Sequence, residues 1–145
     1  GTGVPRGRSN TQARRATQEL LPPEAEFPRI DPRLTGLRHT HVLHATGTSP
    51  AHPGFNAVAR TALESGKTEV YSYGADVIAE EHVLVPDAGS RPGGKAWVLG
   101  TALDLKARRT MLSCFAADRL SAGPVAQAAL PYALPLGLHG AFVKA

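Results

Sequence analysis

The side chains of this sequence best suited to metal or acid–base chemistry are its six histidines: His39, His41, His44, His52, His82 and His139. His39 and His41 stand at i and i+2, which on a β-strand turns both imidazoles to one face. Such a pair could hold a metal, or could sit in water on an edge hairpin beside Arg38. His44 falls at a strand end and His52 in a Pro/Gly loop, where the same two readings stand. His82 follows Glu81 on a strand and should face away from it. His139 differs in context, within Leu136-Gly137-Leu138-His139-Gly140-Ala141-Phe142. The flanking glycines let backbone pass close to a crowded centre, and the apolar neighbours would strip water from the ring. That describes a hydrogen-bonded core histidine as well as a ligand, and one imidazole alone cannot build an iron, zinc or copper site.

Two carboxylates invite the same weighing. Glu26 precedes Phe27-Pro28-Arg29-Ile30, and Glu81 opens the apolar run Val83-Leu84-Val85. A carboxylate entering a buried strand needs a partner, because an unpaired buried charge costs several kcal/mol. Each is either a strand-end acid in solvent or the acceptor that fixes the tautomer of a metal-bound imidazole. Other candidates carry less. Cys114 lies mid-strand with no basic neighbour and reads as a small buried hydrophobe. Arg91-Pro92-Gly93-Gly94-Lys95 is Gly-rich and basic, but it neither follows a strand nor opens a helix as a phosphate loop requires. Trp97, Tyr71 and Tyr73 sit at strand spacing and read as sheet packing, not as a base-stacking platform.

The elements that must position these residues are short. Fifteen glycines and twelve prolines in 145 residues argue against a helical bundle and for strands joined by turns. His39–Ala45, Ala57–Leu63, Thr68–Tyr73, Glu81–Val85, Ala96–Leu103, Thr110–Phe115 and Val125–Leu130 read as strands. Glu64-Ser65-Gly66 and Asp104–Arg109 serve as hairpin turns. The pattern predicts an all-β, antiparallel architecture. A complete propeller would not fit this length, whereas two of its blades would. Residues 1–18 lack a useful period and read as disordered or linker-like, leaving 19–145 as the folded part.

Charge excludes more than it suggests. The net charge of +4 comes from Arg6, Arg8, Arg14 and Arg15, which precede the first acid, Glu19; beyond them basic and acidic side chains balance. A nucleic-acid module would rest on those four arginines alone, so no nucleic-acid partner is expected. A single cysteine excludes an internal disulfide and is compatible with a reducing compartment. No apolar run reaches the roughly 20 residues that span a bilayer. The one methionine is Met111, so the expectation is a processed chain or a piece of something longer.

Four segments, in order, carry a family resemblance. They are Glu26-Phe27-Pro28-Arg29-Ile30-Asp31-Pro32-Arg33, Glu80-Glu81-His82-Val83-Leu84-Val85-Pro86, Gly123-Pro124-Val125-Ala126, and Leu130-Pro131 through Pro135-Leu136-Gly137-Leu138-His139-Gly140-Ala141-Phe142. Residues 24–145 thereby resemble the C-terminal part of the carotenoid oxygenases, the family of carotenoid cleavage dioxygenases, lignostilbene dioxygenases and the retinal pigment epithelium isomerase. The resemblance implies the last blades of a seven-bladed β-propeller, with one Fe(II) on its axis held by four histidines. His139 would be the last of these ligands. Glu26 and Glu81 would be carboxylates hydrogen-bonded to iron-bound histidines, and His39, His41, His44, His52 and His82 would be non-ligands. No catalytic group beyond the metal site and no other cofactor is implied.

The implied reaction is addition of O2 across a C=C bond of a lipophilic carotenoid, apocarotenoid or related conjugated olefin, which splits into two carbonyl products. The implied location is cytoplasmic, with peripheral membrane contact left open. Two departures bear on this. Leu138 stands where the family usually has Phe, and the other three histidines lie upstream of anything present. The chain alone is therefore expected to be inactive without the missing N-terminal blades. Its alternative is a non-catalytic β-domain remnant or interaction module with an incomplete metal site.

Overall fold

Turn chemistry decides where each strand stops. The computed structural model describes residues 4–10, 12, 15–21 and 24–144. Its strands, in chain order, are β1 (Val4–Asn10), β2 (Arg15–Leu21), β3 (Ala25–Arg29), β4 (His41–Thr46), β5 (Ala57–Ala62), β6 (Thr68–Ser72), β7 (Val77–Pro86), β8 (Ala96–Asp104), β9 (Arg109–Ala116) and β10 (Ala126–Ala129). Between β5 and β6, Gly66 takes φ +71 and donates its N–H to Ala62 O at 2.8 Å, closing the expected hairpin. Between β8 and β9, the Asp104 carboxylate accepts from Ala107 N at 2.8 Å.

The protein is all-β and antiparallel. β3-β4-β5-β6 and β7-β8-β9-β10 form two four-stranded sheets in which every strand pairs with its sequence neighbour, the meander of a propeller blade. β1 and β2 form a separate ribbon, in register from Val4↔Leu21 to Asn10↔Arg15. That ribbon departs from the linker-like reading of residues 1–18, and β2 runs through the boundary expected at residue 18. The expectation rested on missing apolar alternation, which a two-stranded ribbon held by backbone hydrogen bonds does not need. Residues 1–3, 11, 13 and 14 of that stretch lie outside the described residues.

The two blades pack face to face. On β8, Ala96, Val98, Gly100 and Ala102 alternate inward with period two. Leu43 and Val58 of the first blade meet Val98 and Phe115 of the second, and Leu120 of a 3₁₀ turn (Ala117–Ala122) closes the cluster. Tyr71 lies edge-on to Phe115, with ring centroids 5.1 Å apart.

Two strands depart from regular pairing, and both departures aim side chains at the candidate site. In β3 the register shifts between Glu26 and Arg29, with Phe27 at φ 54 and Pro28 beside it. In β7 it shifts between Ala79 and His82, so the two intervening residues Glu80 and Glu81 are an irregularity in the ladder. The sequence pattern starts this strand at Glu81. The strand starts at Val77, which places Glu81 in its middle.

Candidate metal centre

The β7 bulge gives three consecutive polar residues three different tasks. Glu80, Glu81 and His82 are all buried. Glu80 Oε1 accepts from Gly137 N at 2.6 Å, and Glu81 Oε2 accepts from Gly140 N at 2.5 Å. Adjacent carboxylates thus hold two backbone amides of the C-terminal tail, which regular strand alternation would not allow. His82 turns to the seam between the blades. Its Nδ1–H donates to Glu80 O at 2.9 Å, and its Nε2 accepts from the Tyr73 hydroxyl at 2.8 Å. The ring fits because Gly100 faces it, since a Cβ there would overlap the imidazole. Burial holds the His82 pKa down to about 4, against the upward pull of the Glu80 carbonyl, so the ring is neutral at pH 7.

Glu81 collects four donors. Its Oε1 accepts from Arg29 Nε at 2.7 Å and from His139 Nδ1 at 3.2 Å. Its Oε2 accepts from Arg29 Nη2 at 2.8 Å in addition to Gly140 N. Burial alone would push this carboxyl up. Hydrogen bonds from Arg29, Gly140 and His139 outweigh it, and Glu81 titrates below the usual carboxylate range. An ionised carboxylate only accepts, so His139 must donate through Nδ1–H, which leaves the Nε2 lone pair free to bind a cation. The His139 side chain is 74% exposed against 4% for Glu81, and the edge of the Phe27 ring meets it with centroids 6.0 Å apart.

The apolar surroundings read around His139 do not bury it. Leu136, Leu138 and Phe142 are themselves exposed. The Glu26 side chain is exposed at the start of the β3 bulge and makes no hydrogen bond among the described residues. The i, i+2 geometry of His39 and His41 is not formed, because β4 begins at His41. His39 Nδ1 meets Leu37 O, and His41 Nδ1 meets Thr40 Oγ1. His44 is buried with Nε2 on Thr61 Oγ1 at 3.0 Å. Among the described residues no three His, Cys, Asp or Glu side chains lie close enough together to hold a metal ion. What the described residues offer is one imidazole held by a carboxylate with its Nε2 free, which fits one ligand of a histidine-held iron and no more.

Sequence reasoning did not single out Arg29 or Glu80 as site residues. Glu80 left a trace, since two adjacent acids in an apolar strand cannot both face one way without a bulge. Arg29 left none, because its partner lies 52 residues away.

Comparison with known proteins gives this geometry a context. A family model described as retinal pigment epithelial membrane protein matches residues 5–144, which takes in the β1–β2 ribbon. The apocarotenoid-15,15'-oxygenase of Synechocystis sp. is 29% identical over 128 residues, covering 82% of this chain and 24% of that protein. A solved cobalt-substituted form of the Synechocystis apocarotenoid oxygenase superposes with TM-score 0.88 at 23% identity, over 99% of this chain and 30% of that one. The lignostilbene dioxygenase of Pseudomonas brassicacearum superposes with TM-score 0.75 at 20% identity, over 86% of this chain and 28% of that one. The chain thus spans under a third of the length of these relatives.

Proposed function

This chain belongs to the retinal pigment epithelial membrane protein family, the carotenoid oxygenases, and on that premise we propose that it supplies part of an iron-dependent oxygenase acting on a carotenoid, an apocarotenoid or a related conjugated olefin. The observation that carries this reading is the hydrogen bond from His139 Nδ1 to Glu81. It leaves Nε2 of an exposed ring as the metal-binding atom, in a chain whose relatives include a cobalt-substituted oxygenase. Fe(II), held there with three histidines from outside these 145 residues, would supply O2 activation for cleavage of a C=C bond to two carbonyl products.

The residues of this chain do the holding. Glu81 fixes the His139 tautomer and stays ionised while buried. Glu80 and Glu81 pin the tail that carries His139, and the blades beneath keep β7 in place. No group here is assigned a proton transfer. The reading expects the isolated chain neither to retain iron tightly nor to turn over.

The test is iron content and olefin cleavage by the protein extended upstream of Gly1 in its own reading frame, with and without His139→Ala. The expected result is stoichiometric ferrous iron and O2-dependent cleavage, with both lost on His139→Ala. Iron retained after that substitution would sink the reading, as would a frame that stops without further histidines. The latter outcome would leave a non-catalytic remnant.

A further inference from the structure

We propose that Arg29 is a positioning residue for His139, acting through Glu81 and through the backbone of Gly140; this rests on reading His139 as a metal ligand. Arg29 touches the histidine's surroundings twice. Its Nε and Nη2 take the two oxygens of Glu81 in a fork, at 2.7 and 2.8 Å. A bidentate guanidinium fixes the plane of a carboxylate as well as its position, which a point charge does not. The oxygen so aligned, Oε1, is the one that accepts from His139 Nδ1 at 3.2 Å. Independently, Arg29 Nη2 donates to Gly140 O at 3.0 Å, holding the residue next to the histidine.

The β3 bulge makes this reach possible. Between Glu26 and Arg29 the strand slips by one residue against β4, and Arg29 lands beside Glu81 of the second blade. The same bulge carries Phe27, whose ring packs edge-on against His139. One irregular strand of the first blade therefore supports a histidine on the tail of the second from two directions. Neither contact is needed to close the blades, whose packing centres on Leu43, Val58, Val98 and Phe115.

The expected consequence is a tautomer held by geometry. With Arg29 in place His139 is Nδ1–H and presents Nε2. Without the fork, Glu81 rotates and the exposed ring relaxes towards the Nε2–H form that an unconstrained imidazole favours, which blocks the metal-binding nitrogen. Lysine at this position keeps the charge but not the fork.

The test is ¹⁵N-resolved NMR of the histidine rings in the metal-free 145-residue chain, at pH about 8 where imidazoles are neutral. Wild type, Arg29→Met and Arg29→Lys are compared, with His82 as internal control because its Nδ1–H bond to Glu80 O lies in the inter-blade seam. The proposal expects His139 to go from dominant Nδ1–H in wild type to dominant Nε2–H in both variants, with the His82 pattern unchanged. An unchanged His139 tautomer in either folded variant would overturn it, in Arg29→Lys because charge without the fork would then suffice. If Arg29→Met loses the His82 pattern it has unfolded, and Arg29→Lys decides alone. Failure of the ligand reading is seen separately, as iron retained by the extended protein after His139→Ala with this tautomer result intact.

Discussion

His82 and His139 stand 57 residues apart, and the environments around them are opposites. His82 is 3% exposed, with both ring nitrogens occupied by Glu80 O and the Tyr73 hydroxyl. Its chemistry is closed. It fills the space that Gly100 leaves open, and burial keeps it neutral. His139 is tethered through one nitrogen, and the rest of its ring faces outward. The two are joined by adjacent residues of β7, since Glu80 O anchors the first and Glu81 the second. A histidine satisfied at both nitrogens is structure, whereas one satisfied at a single nitrogen by a carboxylate is oriented for a ligand. The bulge at Glu80 and Glu81 separates the two fates within one strand.

The harshest way to break the closed region is Gly100→Ala. The added Cβ would overlap the His82 ring atoms Cγ, Cδ2 and Nδ1, so the imidazole must leave and the Tyr73 hydroxyl loses its acceptor. Overpacking and an unpaired buried polar group together should destabilise by about 3 kcal/mol. Chemical denaturation checks this, and a change below about 0.5 kcal/mol would mean that the seam yields easily. A slightly smaller effect follows from pH. The folded pKa of His82, about 4, lies below the ordinary 6.5, so the unfolded chain binds the extra proton between these values. Stability is therefore full above pH 6.5 and falls by up to about 3 kcal/mol as the pH drops to about 4. His44, also lowered by burial, adds in the same direction. Asp31 takes over at lower pH. Hydrogen bonds from Arg33 hold its pKa down to about 2, so its contribution is lost between pH about 4 and 2. His82→Gln should flatten most of the upper slope while leaving the lower one, as read from denaturation midpoints across pH. An unchanged upper slope would remove His82 as its source.

How much of this was legible depended on whether the cause was local. β4 to β6 and β8 to β10 could be placed from alternation and from breakers such as Gly66 and Pro86, because those act within a few residues. β3 could not, since Pro28 and the positive φ of Phe27 disguise a strand that pairs only because β4 lies beside it. The bulge in β7 was hidden for the same reason, and with it the role of Glu80. His139 and Glu81 were reached through a family resemblance; unaided reading of the glycine-flanked run favoured a buried ring, and the structure exposes it. Glu26, drawn from the same resemblance, has an exposed side chain. The Arg29 fork spans 52 residues, and no periodicity could announce it.

The mildest perturbation sharpens the comparison on the open side, because it asks whether the two neighbouring carboxylates act as one latch. Among the described residues Glu80 holds the tail only through Gly137 N, whereas Glu81 holds it through Gly140 N, His139 and the Arg29 bridge. Upstream, Thr110 Oγ1 accepts from Leu134 N at 2.9 Å, and Thr110 N donates to Tyr132 O at 3.0 Å. Glu80→Ala removes one tie among several and should cost about 1 kcal/mol. The loss should be local, with faster amide exchange at Gly137 and unchanged protection at Gly140. Should both amides open together, the tail is a single cooperative strap. His139 would then owe its placement to Glu80 as much as to Glu81, and the division of labour on β7 would have to be redrawn.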